Sequence, residues 1–162
     1  MSLMTTSLLQ PAEESTSPRA GYTVRRGSGP SEPGTIHKNF HAPLWEVTEQ
    51  VIGLLRWQDG WNGYDVVAPN HHAVAHAIPW IRDMYSDALA TEREWRDPHV
   101  TADEDGDAAF EWRNGEKGLA VYISEDGASY IRHWGANITN EMDDGDASTS
   151  ESRRELWSWL TD

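Results

Sequence analysis

The hydrophobic period changes from helical to alternating near Pro98, and no other feature limits the chain's folds as sharply. Before that point apolar residues recur at spacings of three and four, the mark of an amphipathic helix. Beyond it they alternate, the mark of a strand with one buried face. Helices followed by a run of strands must bury their stripes on the apolar face of the sheet, which gives an α+β domain of two layers.

The first helix is predicted over 43–57, where Leu44, Val47, Val51, Leu54 and Leu55 form one stripe. Pro43 is tolerated in its first turn, where no intrahelical donor is lost. Gly60, Gly63 and Pro69 then punctuate a loop, and Asn70 is a good N-cap for a second helix over 71–89. Its stripe is Ala73, Val74, Ala77, Ile78, Ile81, Met84, Tyr85 and Ala88. Pro79 falls inside this pattern, directed away from the stripe, and is expected to kink or interrupt the helix.

The alternating region begins with Val100 and Ala102 and turns at an acidic run, Glu104-Asp105-Gly106-Asp107. Ala108, Phe110 and Trp112 then alternate with Ala109, Glu111 and Arg113. Asn114-Gly115 signals a hairpin, Leu119, Val121 and Ile123 continue the alternation, and Glu125-Asp126-Gly127 signals another turn. Ser129, Ile131 and His133 follow on one face, with Tyr130, Arg132 and Trp134 on the other. The expected fold is α+β: two helices packed on a three- to four-stranded antiparallel meander, with a short C-terminal helix. Residues 1–40, rich in Ser, Thr, Pro and Gly, are expected to be a flexible tail. The domain spans 41–136, an acidic polar linker 137–152, and the closing helix 153–162, which docks through Leu156, Trp157 and Leu160.

Length and composition narrow the function classes. A chain of 162 residues suits one domain with tails. The absence of Cys excludes disulfides, a thiol nucleophile and cysteine-ligated metals. A formal charge of −14 argues against direct binding of a nucleic-acid backbone. No stretch approaches the roughly 18 apolar residues of a membrane span. No basic residue precedes the brief Leu8-Leu9 pair, so no export signal is read and the expected location is cytoplasmic.

Candidate chemistry is sparse. His72 and His76 are four apart, so they share a helix face at a spacing that suits a divalent metal, and His71 is adjacent. That face lies opposite the apolar stripe, and Ala73 occupies the position of the glutamate in HExxH. Solvated histidines are the expected reading, and a metal-dependent hydrolase using His71, His72 and His76 is the alternative. Asp103, Asp105 and Asp107 superficially match a calcium loop, but the bidentate position falls on Asn114, between strands. No GxSxG, GxxxxGK[ST] or GxGxxG is present, so a non-enzymatic protein without a cofactor is expected.

The most specific local signal is Gly60-Trp61-Asn62-Gly63-Tyr64, where two glycines bracket a large aromatic in a tight bend. Trp61, Asn62, Gly63 and Tyr64, followed by Pro69, Asn70, Ala73 and Ala77, resemble a widespread group of small uncharacterised bacterial and phage proteins. These share Gly-Trp-(Asp/Asn)-Gly-Tyr and then a Pro-(Ser/Thr) helix start with Ala every four residues. The resemblance covers about 55–81 well, with Asn62 where Asp is usual and Asn70 where Ser is usual. It implies a fold and a mobile-element setting, not a mechanism. Within the fold, Trp61 is expected to plug the end of the core and Tyr64 to cap it.

Nine Trp against two Phe make tryptophan the main core aromatic. Trp45, Trp80, Trp112 and Trp134 are expected in the core. Trp57, Trp61, Trp95, Trp157 and Trp159 lie at element ends or in the terminal segment. Trp157 and Trp159, two apart, cannot both face the body, so one is a candidate for an exposed contact; a homo-oligomeric structural protein with Trp157 and Trp159 sealing its subunits is a further alternative. The acid is local: residues 97–151 hold 14 carboxylates against Arg113, Lys117 and Arg132. Such a field steers a basic partner. An acidic surface kept for solubility is the competing reading. The expected function is that of a protein-binding inhibitor of a basic, nucleic-acid-handling protein, of phage anti-defence (anti-CRISPR-like) or antitoxin/immunity type. Its expected contact residues are Trp61, Asn62, Tyr64, Asp103, Glu104, Asp105, Asp107, Glu125, Asp126, Trp157 and Trp159.

Overall fold

In the computed structural model the described residues are 42–137 and 139–162. All belong to the unit His37–Asp162, and the expected tail 1–40 lies outside them. Helix α1 spans Ala42–Gly53 and tightens into a 3-10 turn at Leu54–Arg56. Leu44, Val47, Val51 and Leu54 are buried as the spacing predicts. Leu55 is not: the tighter turn, about three residues per rotation, swings it into solvent.

Helix α2 spans His71–Ala90, and the Asn70 side chain accepts from the backbone N–H of His72. The expected interruption at Pro79 does not occur. The carbonyl its ring deprives of a partner belongs to Ala75, which is exposed, so water can take the bond.

Five strands follow as an antiparallel meander in chain order: β1 His99–Ala102, β2 Ala108–Asn114, β3 Lys117–Ile123, β4 Ala128–His133 and β5 Met142–Asp146. The β2–β3 hairpin closes through Asn114 opposite Lys117, so its loop is Gly115-Glu116, one residue later than the sequence signal. Gly115 there adopts φ +62°, the left-handed conformation a two-residue hairpin demands. Helix α3 spans Ser150–Thr161, with Thr149 as N-cap.

The expected linker 137–152 is therefore corrected: it contains β5 and the start of α3. Strand β5 reads Met-Asp-Asp-Gly-Asp and has no apolar alternation, because an edge strand is held by backbone pairing and need not fill the core. Cross-strand charge helps, since Arg132 stands opposite Asp143 and donates to Oδ2 from Nε and Nη2 at 3.1 and 2.9 Å.

One face of the sheet, carrying Val100, Ala108, Phe110, Trp112, Leu119, Val121 and Ile123, forms the core with the three helices. On β4 it is the Tyr130 side that faces the helices, and Ile131 is exposed. Tryptophans join the layers. Trp157 is fully buried, stacks on Trp95 at 4.9 Å and meets Trp112 edge-on at 6.2 Å. Trp80 stacks on Phe110 and donates from Nε1 to the Ala147 carbonyl at 2.9 Å. Trp45 and Trp134, expected in the core, are 65% and 37% exposed. Trp45 neighbours Leu44 on α1, and one residue is enough to rotate it off the buried stripe.

Candidate acidic interface

The turns β1–β2 and β3–β4 must emerge at the same end of a meander, because alternate turns of antiparallel strands do. The fold thus brings Asp103, Glu104, Asp105 and Asp107 to the end that carries Glu125 and Asp126. The first turn is rigid: Oδ1 of Asp103 accepts from the backbone N–H of Asp105 and Asp107 at 3.0 and 2.9 Å. Gly106 (φ +85°) presses its backbone onto the loop before α2, and its carbonyl accepts from Asn70 N–H at 2.7 Å. A Cβ at Gly106 would lie 2.8 Å from the Ala68 carbonyl oxygen.

Among the described residues, no Lys, Arg or His lies within ion-pair distance of these six carboxylates. Burial, and then the charges of Asp103, Asp105, Glu125 and Asp126, push the Asp107 carboxyl above the ordinary value. Tyr122, on the open face of the sheet, is likewise raised by burial and then by Glu111 and Asp103. The N-terminus of α2 beside the turn supplies only a partial positive charge.

The aromatic residues expected to join this surface are less well placed. The loop 58–68 is built by its own hydrogen bonds, with Gly60 N–H to the Val66 carbonyl at 2.8 Å and Asn62 Oδ1 accepting from Tyr64 N–H at 3.0 Å. Asn62 thus holds the turn. Trp61 is half-buried on Trp57, with ring centroids 4.3 Å apart, so it flanks the core instead of plugging it. Its Nε1 is buried and has no acceptor among the described residues. Tyr64 is 77% exposed and caps nothing, since Gly63 (φ +86°) turns the chain outward. Trp157 lies inside the core and presents no surface. Trp159 is half-buried at the other end of the sheet, edge-on to Trp134, with Lys117 and Arg132 each 5.3 Å from its ring.

His71, His72 and His76 are exposed, and His76 Nδ1 reaches the Ser124 carbonyl at 3.3 Å. No group of three or more His, Asp or Glu side chains among the described residues is arranged to hold a metal ion. No described helix is long and apolar enough to cross a membrane.

Sequence reasoning missed the contact that fixes α3 and the whole of β5. Asp87, Ser150, Arg153 and Arg154 meet across more than sixty residues, a distance no local pattern reveals.

The class that emerges is an α+β protein with a five-stranded meander covered on one face by three helices and acidic at one end. Comparison with protein-family models, curated proteins and solved structures finds no match to this chain.

Proposed function

We propose that this chain is a non-enzymatic protein-binding inhibitor, and that its acidic end engages a basic, nucleic-acid-handling partner. One observation carries the reading: six carboxylates on two turns, one braced by the Asp103 carboxylate and the other by the Ser124 hydroxyl, share one end of the sheet with no cation in ion-pair distance among the described residues. The meander brings the two turns to one end, and the Asp103 carboxylate and the Ser124 hydroxyl hold them in place by accepting from backbone N–H groups. Binding a cation-rich groove would offset the neighbouring charges that, after burial, raise the Asp107 carboxyl, and long-range attraction would speed encounter. Occupying such a groove excludes nucleic acid from it, which is how an anti-defence or antitoxin protein of this charge would act.

The test is affinity capture from the host with tagged protein, eluted by rising salt. A basic nucleic-acid-binding protein should be retained, released by salt or by competing DNA, and lost on charge reversal at Asp103, Asp105 and Asp126. Capture that ignores both salt and these substitutions would overturn the reading.

A further inference from the structure

Strand β5 is the last in the sheet order, and among the described residues no strand pairs with its outer side. The phase of its ladder follows from two bonds: Ala147 N–H to the Ala128 carbonyl, and Trp134 N–H to the Glu141 carbonyl, at 2.9 and 3.0 Å. Bonded and non-bonded pairs alternate between antiparallel strands. Asp143 and Gly145, opposite Arg132 and Tyr130, therefore spend their backbone groups on β4. Met142, Asp144 and Asp146 direct their N–H and C=O groups outward, and none of these has a backbone partner among the described residues.

The side chains of the same three residues stand on the helix-free face of the sheet and are exposed. Each outward-facing backbone position from Asp144 to Asp146 thus comes with a carboxylate. Asp143, on the helix side, is held by Arg132. A second copy of β5 is a poor occupant, because pairing would set Asp144 and Asp146 against the same carboxylates. An extended strand with basic residues at alternate positions satisfies both the backbone and the charge.

We propose that the open edge of β5 takes an extended basic segment of a partner protein as a sixth strand. This rests on the reading that the chain binds a basic partner, and it names the kind of segment recognised. Backbone bonds would supply the register, and Asp144 and Asp146 would select Lys or Arg on the exposed face. Ile131, opposite Asp144 on β4 and 37% exposed, offers apolar cover for the stems of those side chains.

The experiment uses the full chain and a synthetic peptide of alternating lysine and threonine, followed by residue-resolved amide exchange. Exchange should slow at Met142, Asp144 and Asp146, with no change at Asp143 and Gly145, whose N–H groups are already bonded. Asp144→Lys should lower peptide affinity several-fold while leaving the far-ultraviolet circular dichroism and melting unchanged. Asp146 also accepts from Ser148, so it is a poorer variant. Peptide binding without protection at the three amides would overturn the proposal, as would a chain that is already a β5-paired dimer by light scattering. Affinity lost in Asp103→Lys/Asp105→Lys but kept in Asp144→Lys would sink the edge while sparing the acidic-end reading. Indifference to both variants would sink both.

Discussion

Arg153 donates from Nε to Oδ2 of Asp87 at 2.8 Å across the contact between α2 and α3, and both side chains are buried. Ser150 donates to Oδ1 of the same carboxylate at 2.6 Å and Arg154 at 3.1 Å, while Arg153 Nη1 donates to the Ser148 carbonyl. Removing Asp87 would leave the buried guanidinium with only the exposed Asp83, 3.9 Å from Nη2, as a counter-charge. Asp87→Ala is expected to cost about 3–5 kcal/mol in denaturant unfolding.

The same carboxylate sets an acid limit. Burial alone raises its pKa, but Ser150, Arg153 and Arg154 together outweigh that and hold it below 3.8. A group depressed in the folded state stabilises it above the unfolded pKa and loses that contribution as pH falls through the folded value. The wild type should therefore lose stability below about pH 4 more steeply than Asp87→Asn, measured by melting across an acid series.

Asp107 has the opposite sign. Its raised carboxyl disfavours the folded state at neutral pH, and the penalty is relieved as pH falls through its folded pKa. Asp107→Asn should be slightly more stable than wild type at pH 7. In carboxyl-detected titration, Asp103→Asn/Asp105→Asn should move the Asp107 midpoint downward. An unmoved midpoint would show that these two charges do not contribute to it.

Gly106 and Gly63 have nearly the same φ, +85° and +86°, but different surroundings. A Cβ at Gly63 meets nothing within 4 Å, whereas one at Gly106 runs into the backbone of Ala68 and Asn70. Gly63→Ala should cost only the conformational strain, about 1–3 kcal/mol. Gly106→Ala should cost clearly more and loosen the acidic turn, seen as faster exchange at Asp105 and Asp107. Equal costs would mean that the turn is not docked.

Tryptophan burial divides the same way. Trp157→Ala is expected to cost about 3–5 kcal/mol, because its ring fills the junction of Trp95 and Trp112. Trp45→Ala should change stability by no more than about 0.5 kcal/mol. Denaturant unfolding of the pair settles the ranking.

How much was legible follows the range of each interaction. The stripes of α1 and α2, the Asn70 cap and the apolar face of β2 and β3 were readable because they repeat within a few residues. The loop Gly60–Tyr64 was readable as a bend, but which way Trp61 and Tyr64 point depends on Trp57 and on the backbone turn at Gly63. The acidic turns were readable one at a time. Their convergence at one end is a property of the meander, and the lack of an ion-pair partner for them among the described residues is a property of the packed domain.

The sequence by itself determined the α+β class, the order of the helices and of the first four strands, and an uneven charge. Those depend on periodicity and composition, which are local. Only the tertiary structure decided that β5 exists, that Trp157 is core while Trp45 is surface, and that Asp87 holds α3. An edge strand, a helix-to-helix ion pair and the burial of one ring over another arise from contacts between distant segments. Their energy appears only once the chain has closed on itself.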